Sequence, residues 1–278
     1  METTIAVGVH AFVLSLAEGS LVSWKTGIWL LAAVTILTAA APLLAPPVPQ
    51  PLSYHQFADQ RTWLGIPNFG DVVSNVGFAL VGVWGLVVLL AHGARVAFVD
   101  PREKCPYLIM FGGMVLVAAG SSDYHLAPDN SRLMWDRLPM AMLFMALVAA
   151  MIMERVSVRA GLALLPVLLL IGMGSVVQWE RSEQHGVGDL RFYAAVQIYA
   201  VITLLVILLL PARYTRSRDL VVVVGFYLLA KTLETFDQPI FASGHLVSGH
   251  TLKHLAAAAA GWWILRMLEK RRPLVAPA

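Results

Sequence analysis

The sequence predicts an all-α, polytopic membrane protein in which one leading helix precedes a block of seven spanning helices. Three observations predict it. Of 278 residues, 58% are apolar and 13% are Asp, Glu, Lys or Arg, about half the charge of a soluble globular chain. Eight apolar runs come close to the roughly 20 residues that a helix needs to cross a bilayer. Finally, the lone cysteine, Cys105, excludes an intrachain disulfide framework and a Cys-rich zinc module, so any metal must be held by His and carboxylates. A formal charge of +3 is too small to argue for nucleic acid as a partner.

The runs, bounded by Pro, Gly or charge, lie at roughly 27–45, 72–92, 107–125, 138–153, 159–177, 190–210, 219–236 and 250–267. Ahead of them, Val7 to Leu16 is apolar for too short a stretch to span and lacks a basic leader or cleavage site, so it is read as an interfacial or packed segment. Between the first and second runs lies the only long linker, Pro46 to Gly70. Its opening Pro-Pro-Val-Pro-Gln-Pro cannot be helical, because proline lacks the amide donor. This divides the chain into residues 1–50, an amino-terminal segment with the extra helix and Pro-rich linker, and residues 51–278, the seven-helix domain.

If all eight runs cross, the loops alternate between two sides. One side collects twelve basic residues, among them Lys25, Arg102, Lys104, Arg155, Arg213 and Arg272, and the other collects Arg61, Arg132, Arg137, Arg181 and Arg191. The excess marks the cytoplasmic side and places both termini there.

Ionisable side chains are costly in hydrocarbon, so each one near a spanning helix is a functional candidate. Four clusters stand out. The second run opens with Asp71, Ser74 and Asn75, and the third ends in Gly-Ser-Ser-Asp-Tyr-His, residues 120 to 125. Asp136 precedes the fourth run, and the eighth opens with Ser-Gly-His-Thr-Leu-Lys-His, residues 248 to 254. All four face the side poor in basic residues, so they converge at one depth on the extracytoplasmic side.

His250 and His254, four residues apart, present both imidazoles on one helix face, as a shared metal ion requires. His125 is the other histidine embedded in a helix at that depth. Three imidazoles leave an open fourth position, where Zn2+ lowers the pKa of water to about 7. Simpler readings stand beside this one. The pair could line a proton pathway, and Ser121 could bond back to its own helix. Asp136 could cap a helix or pair with Arg132 or Arg137.

Taken together, Ser121-x-x-x-His125, Asp136 within Asp-Arg-Leu-Pro-Met, and His250-x-x-x-His254 in the last helix resemble the motif set of the alkaline ceramidases. These belong to CREST, a wider group of seven-helix membrane hydrolases. The Ser74-Asn75 pair also matches a ceramidase pattern, and the resemblance runs from about Gln56 to Met267. It implies a CREST-like core, with zinc bound by His125, His250 and His254. It further implies that Ser121 holds the oxyanion or the water and that Asp136 acts as general acid/base. The implied substrate is a ceramide-like N-acyl lipid drawn from the bilayer. Amide hydrolysis needs an activated water, a clamp on the carbonyl and a proton for the amine, and these residue types can supply all three.

The amino-terminal region departs from the family pattern. Eukaryotic alkaline ceramidases carry an acidic calcium cluster there, whereas this chain offers Asp59 and Asn68, so Ca2+ is not expected. Lys231, Glu234 and Asp237 are read as an ion-pair cluster or as a layer behind the site, with Ser74, Asn75, Lys231 and Asp237 as candidates for supporting or substrate-binding roles. Asp123 falls on another helix face, and His245 in a loop is a poor substitute ligand. The alternatives are another lipid hydrolase of the same group, or a receptor-like protein with a structural metal.

Overall fold

The computed structural model describes residues 22–91 and 96–274. Val7 to Leu16, read above as interfacial, lie outside the described residues. Each of the eight apolar runs is helical, and no strand occurs among the described residues. The helices are α1 (Trp24–Leu44), α2 (Phe69–Ser74), α3 (Val76–Ala91), α4 (Lys104–Leu126), α5 (Asn130–Arg155), α6 (Val158–Gln184), α7 (Arg191–Ile207), α8 (Arg218–Thr235), α9 (Asp237–Ala242) and α10 (Gly249–Lys270). Helix is the conformation that satisfies every backbone amide within its own segment, which an apolar medium demands.

Among the described residues, five helical stretches are long and apolar enough to cross a membrane: Trp24–Leu44, Phe69–Ala91, Pro101–Leu126, Asn130–Arg155 and Val158–Gln184. The protein is therefore read as a membrane protein. Two details depart from the expected boundaries. The second run is interrupted at Asn75, between α2 and α3, and the fourth begins at Asn130, well before Pro139, which α5 carries in its interior. Asp129 makes that early start possible, because its side chain accepts from Arg132 N at 2.7 Å as an N-cap.

Helix α5 is the axis of the bundle, with α4, α6 and α7 packed against it, and α10 packs against α3 and α8. Its face from Met145 to Met153 is buried among Phe78, Met110, Phe111, Met114, Ile264 and Leu268. Helix α1 leans on α7 at the outside.

The two ends of the bundle are polar in different ways. At one, Glu154 accepts from Tyr107 Oη at 2.7 Å and from Arg271, while Glu103 accepts from Arg213 Nη1 at 3.0 Å and from Tyr214 Oη. These pairs tie the end of α10 to α4 and α5. The other end holds the terminus of α4, the starts of α2, α5 and α10, and the linker 46–70.

Candidate metal centre and cavity

Close backbone approach assembles this second end. A Cβ on Gly120 of α4 would lie 2.2 Å from Trp135 O of α5, so only glycine lets the helices cross beside Ser121 and Asp136. A Cβ on Gly249 would lie 2.2 Å from Leu233 O and 2.8 Å from Asp237 Cα, which brings the first turn of α10 against α8 and α9. That turn is capped by Ser248, whose Oγ accepts from Thr251 N at 2.9 Å.

Against this frame, His125, His250 and His254 form one buried group, each offering a ligand atom within 4.8 Å of the others. Their ring centroids are 4.8 to 5.0 Å apart. Nδ1 of His125 and Nε2 of His250 are buried with no hydrogen-bond partner, a costly condition for a polar nitrogen unless a ligand satisfies it. Ser74 Oγ lies 2.8 Å from Nδ1 of His254 and 3.1 Å from Asp71 O, to which it donates. That contact occupies Nδ1 and leaves Nε2 for a ligand. The group could hold a metal ion, and the orphaned nitrogens fit one.

Other residues hold the histidines in place. Phe57, from the linker, packs at a steep angle against His125 and His250 with ring centroids 4.6 Å away in both cases. Asn68 Nδ2 donates to His125 O at 2.8 Å. Asp237 accepts from His250 N at 2.8 Å and from Ala58 N at 2.9 Å, fastening α10 to the linker through backbone amides. Asp71, fully buried, accepts from Thr251 Oγ1 at 2.7 Å and Ser248 Oγ at 3.1 Å. Asn75 donates to Asp71 O at 2.9 Å, so it stabilises the α2–α3 junction rather than the histidines.

Next to the group is a cavity of about 270 Å³. Ser121, Asp136 and His254 line it together with Arg137, Lys231, Glu234 and Lys253, and Phe78, Val117, Met140 and Phe144 supply apolar wall. Lys253 Nζ donates to Glu234 Oε1 at 2.6 Å, Lys231 to Glu234 Oε2, and Tyr54 Oη to Glu234 at 3.2 Å. Lys231 thus belongs to an ion-pair cluster that also borders the cavity. Asp136 is buried and has no ion-pair partner within 4.0 Å among the described residues.

The remaining polar residues are engaged elsewhere. Asp123 pairs with Arg132 at 3.3 Å. His245 meets Phe241 edge to face, and its carbonyl accepts from Arg61 Nη1 at 2.6 Å. Both oxygens of Asp59 accept from Arg61 at 2.7 Å. Those hydrogen bonds hold its carboxyl below the ordinary value against the opposing effect of burial.

Sequence reasoning missed Phe57, Tyr54 and Lys253, and weighed Asn68 only as a calcium ligand. The linker residues gave no signal, since their roles come from tertiary contact. Lys253 did give one: a charge inside an apolar run, which needs a partner. No protein-family model matches the chain, and no curated protein matches it.

Proposed function

We propose that the protein is a zinc-dependent membrane amidase of the alkaline ceramidase type, cleaving the N-acyl bond of ceramide-like lipids to a fatty acid and a long-chain base. On this reading α3, α4, α5, α6, α7, α8 and α10 are the seven-helix CREST-like core and α1 is the additional helix. Both termini are cytoplasmic and the site lies toward the extracytoplasmic side. The observation that carries the proposal is the buried group of His125, His250 and His254 beside a cavity that also takes in Ser121 and Asp136.

Three imidazoles are a donor set suited to Zn2+, which when bound supplies Lewis-acid activation of a water and of the amide carbonyl. The chain's own residues do the rest. Asp136 takes the proton from the attacking water and delivers it to the leaving nitrogen, so the acyl carbon gains the hydroxyl as the C–N bond breaks. Ser121 Oγ donates to the oxygen that becomes negative. Ser74 fixes the tautomer and orientation of His254. The apolar wall receives the acyl chain, and the buried floor excludes bulk water.

Purified protein incubated with labelled ceramide, with and without a chelator, tests the proposal. Fatty acid should be released without chelator, vanish with it, and return on adding Zn2+. Release that is indifferent to chelation would overturn the metal-dependent reading.

A further inference from the structure

Of the charged residues of the cavity that the mechanism above does not use, Lys231 and Lys253 pair with Glu234, and Arg137 stands outside that cluster. It is 5% exposed, and its one side-chain hydrogen bond runs from Nη2 to Gln50 Oε1 at 2.7 Å. Nη1 has no hydrogen-bond partner. No carboxylate among the described residues lies within 4.0 Å of it. Around it stand Trp179, Tyr193 and Tyr54, with ring centroids 4.4, 5.0 and 5.3 Å from its Cζ.

Tyr193 has the same deficiency: it is buried, and its Oη has no partner. Both Arg137 and Tyr193 line the cavity that contains Ser121, Asp136 and His254. Aromatic faces offset part of the cost of burying a guanidinium, but they do not satisfy its N–H groups. The cavity also carries more positive than negative side chains, with Arg137, Lys231 and Lys253 against Asp136 and Glu234.

We propose that Arg137 and Tyr193 form an oxyanion subsite, so that among N-acyl lipids the site favours one that carries a carboxylate or phosphate on the amine side of its amide. A hydroxyl headgroup could accept from Nη1 but would leave the buried charge without a counter-ion; an oxyanion answers both needs. The proposal rests on the amidase reading for what happens next. Water adds its hydroxyl to the acyl carbon, the C–N bond breaks, and the proton goes to the amine of the anionic product.

The test uses three lipids with one acyl chain: N-palmitoyl-serine, N-palmitoyl-phosphoethanolamine and the neutral N-palmitoyl-serinol. Serine and serinol amides differ by a carboxylate in place of a hydroxymethyl group. Wild-type protein should show kcat/KM for at least one anionic lipid about 10- to 100-fold above that for the serinol amide, and which anion wins separates carboxylate from phosphate. In Arg137→Gln the ratio should fall toward one. Equal kcat/KM for all three in wild type, or a ratio unchanged in a folded Arg137→Gln, would overturn the subsite. If the wild type cleaves none of them, release of fatty acid from labelled ceramide still decides the amidase reading, and equilibrium binding of the uncleaved lipids decides the subsite. Tighter binding of an anionic lipid supports it, and equal affinity overturns it. The wild-type comparison stands even if Arg137→Gln does not fold.

Discussion

Ser74 Oγ lies 2.8 Å from Nδ1 of His254 although 180 residues separate them in the chain. The contact ties the start of the second apolar run to the last helix and fixes which histidine nitrogen remains for a ligand. Partners of this kind typically contribute 10- to 100-fold to metal affinity. Ser74→Ala should therefore fold and weaken zinc affinity by about that factor, measured by competition with a chromogenic chelator. Unchanged affinity would reduce Ser74 to helix packing.

Asp136 and the histidines should respond differently to substitution. Asp136→Asn preserves side-chain volume and should keep its zinc while losing amidase activity by about 10²- to 10⁴-fold. His125→Ala should lose both. Zinc loss in Asp136→Asn, read by metal analysis beside the activity assay, would make the aspartate a ligand and require another proton carrier.

The α4–α5 crossing predicts a contrast between two glycines. A Cβ on Gly120 meets Trp135 O at 2.2 Å, whereas one on Gly112, two turns earlier on α4, meets nothing within 4 Å. Gly120→Ala should force the helices apart, costing about 1–3 kcal/mol or more and separating Ser121 from Asp136. Gly112→Ala should stay within about 1 kcal/mol of wild type. Thermal unfolding in detergent measures both, and equal melting points would deny that the crossing is tight.

Cys105 begins α4, and the candidate site lies at that helix's other end. With this exposed first turn of α4 on the side rich in basic residues, a membrane-impermeant thiol reagent should fail to label Cys105 in intact cells and succeed after lysis. Labelling in intact cells would invert the orientation and move the site to the cytoplasmic face.

Much of the helical layout was legible because an apolar run of spanning length has few alternatives to helix. The break at Asn75 was not, since its cause is the side-chain bond to Asp71 O rather than any apolar pattern. Nor was the early start of α5, because the charged Asp136 and Arg137 bounded the apolar run at 138, whereas the turn capped by Asp129 starts the helix at Asn130. The histidine group could be expected from helical spacing and common depth. Its support by Phe57 and Asn68 could not, because the linker 46–70 carries no periodicity that says where it docks. Asp237 was read as an ion-pair or supporting residue; its carboxylate accepts from the backbone amide of His250 rather than from an imidazole.

The central claim is that His125, His250 and His254 together hold one catalytic metal ion, and metal analysis of three purified proteins tests it most directly. Wild type should carry about one zinc per chain, while His250→Ala and His254→Ala should carry little or none, because three ligands are the minimum of such a site. Equal zinc in all three proteins would contradict the account.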